Sequence, residues 1–120
     1  MKKIILKGIP ASPGIISGKV KIIKGLEDAS FFQEGDILVA KITDPSMIML
    51  MTKAKAIITD IGGLTSHPAI VSRELGIPCV VATGKATRIL KDGMEIKIDG
   101  SKGEIYAEKI IKKSNEVPNF

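Results

Sequence analysis

The sequence predicts an α/β fold: one compact domain built from sheet layers with few helices. Three observations predict it. Short apolar runs rich in branched residues, Ile37-Leu38-Val39-Ala40, Lys55 to Asp60 and Ile77 to Val81, alternate with helical patterns through the middle of the chain. Strict two-residue alternation, the mark of a half-buried strand, occurs at Gly18-Lys19-Val20-Lys21-Ile22 near one end and Met94 to Asp99 near the other. Finally, 120 residues with 44% hydrophobic and 26% charged side chains suit one folded core. A chain of that length buries roughly two-thirds of its unfolded surface.

Taken in order, Ile4-Ile5-Leu6 leads into Gly8 to Gly14, where two prolines and two glycines predict a shaped loop. The strand at 18–22 follows. Glu34-Gly35-Asp36 is a turn signal before the buried strand at 37–40. Thr43-Asp44-Pro45 then announces a helix, because proline suits a first turn whose N–H groups lack intrahelical partners. Met47, Leu50, Met51 and Ala54 recur at helical spacing and should face the core. After the strand at 55–60, Gly62-Gly63 predicts a sharp turn and Pro68 to Leu75 a helix stopping at Gly76. Beyond the buried strand at 77–81, Asp92-Gly93 is a turn, and Gly100 to Gly103 joins the alternating strand to a last one around Glu104 to Ala107. This end reads as antiparallel with one wet face. Residues 1–111 are assigned to the domain and 112–120 to a polar C-terminal tail.

Composition excludes several function classes. Aromatic residues are 3% with no Trp, which leaves no stacking platform for single-stranded nucleic acid. The formal charge of +5 comes from scattered lysines rather than a basic run, so nucleic acid is not the expected partner. Cys79 is the single cysteine and lies in an apolar run, so a buried core thiol in a reducing compartment is expected. One His and one distant Cys cannot supply a zinc site, so no protein-bound metal is expected. Only three consecutive apolar residues precede Lys7, and no run reaches the ~18 apolar residues of a span; a cytoplasmic protein without membrane contact is expected.

Gly62-Gly63-Leu64-Thr65-Ser66-His67 lies between a buried strand and a helix, a position where α/β proteins place ligands. Gly62 and Gly63 allow backbone to approach a bulky anion, and Thr65 and Ser66 bring hydroxyls that either cap the helix or bond a phosphate oxygen. A helix starting at Ser66 or His67 would aim the N–H groups of Ala69 and Ile70 at whatever His67 holds. A neutral imidazole there has the lone pair a nucleophile needs. From the residues alone, a helix-start histidine bonded to backbone remains an equal reading.

The run from Gly62 to Pro78, GGLTSHPAIVSRELGIP, closely resembles the phosphohistidine signature of the PEP-utilizing enzymes. That family includes phosphoenolpyruvate synthase, pyruvate phosphate dikinase, enzyme I of the sugar phosphotransferase system and rifampin phosphotransferase. The resemblance runs from about Gly8 to about Ala107 and is nearest the synthase branch through Thr43-Asp44-Pro45 and Arg73 to Pro78. It implies a swivelling domain of β/β/α type that carries a phosphoryl group on the Nε2 of His67. It also implies partner domains that bind ATP and phosphoenolpyruvate or pyruvate, with magnesium held there. Two departures stand out. Pro68 replaces the usual Ala, Ser or Thr, which helix-start geometry tolerates. The chain also has no room for either partner domain, so those are expected on separate chains.

Other candidates reduce to structural roles. Gly84-Lys85-Ala86-Thr87 lacks the Lys-Ser/Thr pair and the upstream glycine of a phosphate-binding loop. Arg73 lies six residues after His67, off its helical face, where an ion pair with an acidic neighbour is as good a reading as a phosphate contact. Capping and turn roles account for Asp44 and Asp60. The expectation is therefore a stand-alone phosphohistidine carrier with a natural start at Met1, the component of a synthase-like phosphotransferase. The alternative is a non-catalytic anion-binding module for regulation or docking.

Overall fold

A computed structural model describes residues 3–108 of the chain, so the tail assigned to 112–120 lies outside the described residues. Eight strands form in chain order: β1 (Ile4–Lys7), β2 (Ile9–Ser12), β3 (Ile15–Ile22), β4 (Ile37–Ala40), β5 (Ala56–Thr59), β6 (Cys79–Val81), β7 (Glu95–Asp99) and β8 (Glu104–Ala107). Their lateral order is β1-β8-β7-β3-β4-β5-β6-β2. The long strand β3 joins two layers. Its first half, Ile15 to Lys19, pairs antiparallel with β7, and its last residues, Val20 to Ile22, pair parallel with β4. The antiparallel layer is β1, β8, β7 and the start of β3; the parallel layer is the end of β3 with β4, β5 and β6.

The parallel layer is buried on both faces, which is why its strands read as unbroken apolar runs. Leu38, Ala40, Ile57, Cys79 and Val81 face one way, against Met47, Leu50, Met51, Ala54 and Ala69 from the helices. Their neighbours Ile37, Val39, Ala56, Ile58 and Val80 face the antiparallel layer and meet Val20, Ile96, Ile98 and Ile105. Two cores separated by one sheet give the expected β/β/α layering. Each fully buried Leu or Ile contributes about 1.5–3 kcal/mol relative to exposure.

Helix α1 (Ile48–Lys53) is preceded by one 3₁₀ turn, Pro45–Met47, for which Asp44 is the cap: its carboxylate accepts the Ser46 N–H at 2.8 Å. Met47, Leu50, Met51 and Ala54 are buried as their spacing predicted. Helix α2 (His67–Leu75) ends at Gly76, whose φ of 72° is left-handed and whose N–H returns to the carbonyls of Ser72 and Arg73.

The segment from Gly8 to Gly14 departs from expectation. It is not wholly loop, because Ile9–Ser12 forms β2, antiparallel to β6. Pro10 is compatible with that because β2 is an edge strand, and the pairing slips between Pro10 and Ser12. Two further elements went unforeseen, a 3₁₀ helix at Leu26–Phe31 and the one-turn α3 (Ala86–Ile89); both are too short to show a helical period. Among the described residues no helix is long and apolar enough to cross a membrane.

Candidate functional site

Strands β4 and β5 are parallel neighbours, with Ala40 opposite Thr59, so the chain leaves both at the same end of the sheet. The two exit loops meet there. Thr43, from the loop after β4, is only 3% exposed and its Oγ1 lies 2.8 Å from Nδ1 of His67, the first residue of α2. This hydrogen bond can run in either direction, and the direction decides the chemistry. When Nδ1–H donates to Thr43 Oγ1, the lone pair of the neutral ring sits on Nε2, which among the described residues has no protein partner. His67 itself is half-buried.

The loop before His67 is held by its own carbonyls. Gly62 has φ of +125°, and a Cβ there would come within 2.9 Å of the Ser66 hydroxyl, so glycine is required. Nothing lies within 4 Å of a Cβ built on Gly63, which leaves that side of the loop open. The Ser66 hydroxyl and N–H both donate to the Gly63 carbonyl, at 2.7 and 3.1 Å, closing a turn across Gly63 to Ser66. Leu64 and Thr65, at the tip, are exposed.

The predicted anion-binding set needs correction in its helical half. Ser66 is the N-cap, and its carbonyl already accepts the Ile70 N–H at 3.0 Å, as an N-cap carbonyl does. Ile70 therefore has no free N–H to offer. Ala69 is fully buried, which places its N–H beneath the surface and out of a ligand's reach. Thr65 keeps an exposed hydroxyl, whereas that of Ser66 donates within the loop rather than capping the helix. Gly62, Gly63, Thr65, Ser66 and His67 are thus brought together; Ala69 and Ile70 lie behind them.

Among the described residues Arg73 bonds backbone carbonyls rather than an acidic side chain. Its guanidinium donates to the carbonyls of Ala11, at 2.8 Å, and Leu64, at 2.6 Å, tying α2 to β2 and to the loop tip. The Asp60 carboxylate accepts the N–H and hydroxyl of Thr87, at 2.9 and 2.6 Å, fastening the end of β5 to α3. Hydrogen bonds from the Ser46 hydroxyl and N–H hold the Asp44 carboxyl below its ordinary range. Burial pushes the Cys79 thiol up to about 11, the state of an inert core cysteine. Among the described residues no three His, Cys, Asp or Glu side chains gather as a metal site would require.

Thr43 is the site residue that sequence reasoning missed. The run Thr43-Asp44-Pro45 was visible, but as the start of a helix; only the parallel pairing of β4 with β5 places its threonine against His67. A groove of about 540 Å³ lies alongside, lined by Ile23, Ile42 and Met47 with Lys24, Lys41 and Asp44.

Residues 32–103 match the sequence family described as "PEP-utilising enzyme, mobile domain". The chain is 55% identical over 116 residues to a protein of Archaeoglobus fulgidus named "Probable phosphoenolpyruvate synthase", covering 97% of this chain and 15% of that protein. It is 53% identical over 106 residues to the phosphoenolpyruvate synthase of Aeropyrum pernix, covering 88% and 13% respectively. The chain thus spans about one-seventh of the length of these relatives. Among solved structures it resembles an enzyme I protein studied by NMR, with a TM-score of 0.56 and 33% identity over 69% of this chain and 34% of that one.

Proposed function

This chain belongs to the family of PEP-utilising enzyme mobile domains, and from that membership we propose that it is a phosphoryl carrier, charged on His67 at one partner site and discharged at another. The observation that supports this reading most is the hydrogen bond between Nδ1 and Thr43 Oγ1, which with Nδ1–H as donor leaves Nε2 as the open nitrogen of the ring. In the forward step the Nε2 lone pair attacks the phosphorus of a donor in line. The Nε2–P bond forms as the bond from phosphorus to the donor's leaving oxygen breaks, and that oxygen departs with its electron pair. The ring gains positive charge while Nδ1–H stays on Thr43, so the bond strengthens as the reaction proceeds. Discharge is the reverse displacement by an acceptor oxygen.

Donor and acceptor sites belong to partner domains, as the small share of each relative that this chain spans suggests. ATP and phosphoenolpyruvate or pyruvate are the ligands to expect there. Magnesium is expected with them; on this chain the Asp44 carboxylate is bonded by Ser46. We place those domains on separate chains and the protein in the cytoplasm.

A charge-and-chase experiment tests the proposal. The protein is incubated with extract of its source cells and labelled phosphoenolpyruvate or ATP, repurified, then exposed to extract with unlabelled pyruvate. Acid-labile, alkali-stable label that appears and is then chased off is the expected result. Label that never appears leaves the non-catalytic anion-binding module as the better reading.

A further inference from the structure

The chain's backbone donors near His67 are not those of the helix. Every peptide bond among the described residues is trans, so in each peptide unit the N–H points opposite to the carbonyl. Two successive carbonyls before His67 are each held by a side chain. The Gly63 carbonyl accepts from the Ser66 hydroxyl at 2.7 Å, and the Leu64 carbonyl accepts from the Arg73 guanidinium at 2.6 Å. Their peptide partners are the N–H groups of Leu64 and Thr65, which are turned away from Ser66 and Arg73. Both residues are exposed, and neither N–H has a protein acceptor among the described residues. Successive unpaired N–H groups in a turn form a concave donor pair of the kind that binds phosphate oxygens.

Resting on the carrier reading above, we propose that Arg73 is a positioning residue: by gripping the Leu64 carbonyl it turns the Thr65 N–H outward, beside the Leu64 N–H, to hold the phosphoryl oxygens on His67. Arg73 itself does not touch the phosphoryl group. Its second grip, on the Ala11 carbonyl at 2.8 Å, anchors the guanidinium to β2, so the loop tip is referenced to the sheet rather than to the helix alone. A planar fork can serve two carbonyls at once; the single ammonium of lysine serves that geometry poorly. Ser66 does the same for the peptide between Gly63 and Leu64. The two side chains therefore control different N–H groups, Ser66 that of Leu64 and Arg73 that of Thr65.

Chemical phosphorylation provides a test that needs no partner. Potassium phosphoramidate transfers its phosphoryl group to an open ring nitrogen: the Nε2–P bond forms, the P–N bond of the reagent breaks, and ammonia leaves. The full chain is charged in this way and its amide ¹H–¹⁵N spectrum followed. In the unsubstituted protein the largest downfield shifts are expected at Leu64 and Thr65. Arg73→Ala and Arg73→Lys should both lose the Thr65 shift, and Ser66→Ala should lose the Leu64 shift. Core amides such as Ile57 and Val80 should stay in place, and if Arg73→Ala does not fold, Arg73→Lys and Ser66→Ala carry the test. Shifts that fall instead on Ala69 and Ile70, or that survive in Arg73→Lys, overturn the positioning role while leaving the carrier reading intact. A His67 that refuses the reagent while free histidine accepts it overturns both.

Discussion

Replacing Thr43 by valine removes one hydroxyl, keeps the side chain's shape, and tests what selects the reactive nitrogen of His67. The side chain is buried, so water does not replace the lost partner, and Nδ1 is left without the acceptor it has at 2.8 Å. A neutral hydrogen bond is worth about 0.5–1.5 kcal/mol net, and one to a charged group about 1.5–3 kcal/mol. The ring becomes positive as Nε2 takes the phosphoryl group, so the bond is worth about 1–1.5 kcal/mol more in the transition state than in the ground state, and only that difference raises the barrier. At about 1.36 kcal/mol per decade, the rate of charging should fall roughly fivefold to tenfold. The assay is the initial rate of acid-labile labelling from phosphoramidate, with thermal melting as the control for folding. Thr43→Ser should retain most of the rate. A valine variant charging at the wild-type rate would refute the claim that this contact sets the tautomer.

Other outcomes follow from the same structure. Gly76→Ala, with φ of 72° and open space around it, should cost about 1–2 kcal/mol from backbone strain alone. Gly103→Ala should cost more in the same melts, because a Cβ there would lie 2.3 Å from the Gly8 carbonyl oxygen. Ala82 has φ of 59°, so Ala82→Gly should stabilise the domain by about 0.5–1 kcal/mol, the relieved strain less the entropy glycine adds to the unfolded chain. The Cys79 thiol, raised from 9.0 to about 11, should make stability fall as pH rises between those values, since the unfolded chain ionises there and the folded one does not. The loss reaches roughly 3 kcal/mol. Cys79→Ala should be less stable throughout but lack that part of the slope.

The parallel layer was legible because burial on both faces writes itself into sequence as unbroken apolar runs, as at Ile37–Ala40. Helix α2 was legible through its ends, Ser66 and Gly76. The strand at Ile9–Ser12 was not, because its proline argues against a sheet until its edge position is known. The site divided along the same line. Local chemistry marked out His67, Ser66, Thr65 and the glycines, all within six residues. Thr43 depends on strand pairing, and Arg73 acts on a carbonyl nine residues upstream, so neither role is written locally. The N–H groups of Ala69 and Ile70 drop out for smaller reasons. With Ser66 as N-cap, its carbonyl takes the Ile70 N–H, and packing against the sheet buries Ala69.

The central claim is that one atom, Nε2 of His67, receives the phosphoryl group. Charging the protein from labelled phosphoenolpyruvate or ATP in source-cell extract, then locating the phosphoryl group by ³¹P and heteronuclear NMR under alkaline conditions, tests it directly. One group per chain on Nε2, absent from His67→Ala, is the predicted result; a phosphoryl group on Nδ1, on a hydroxyl, or still present in His67→Ala would contradict it.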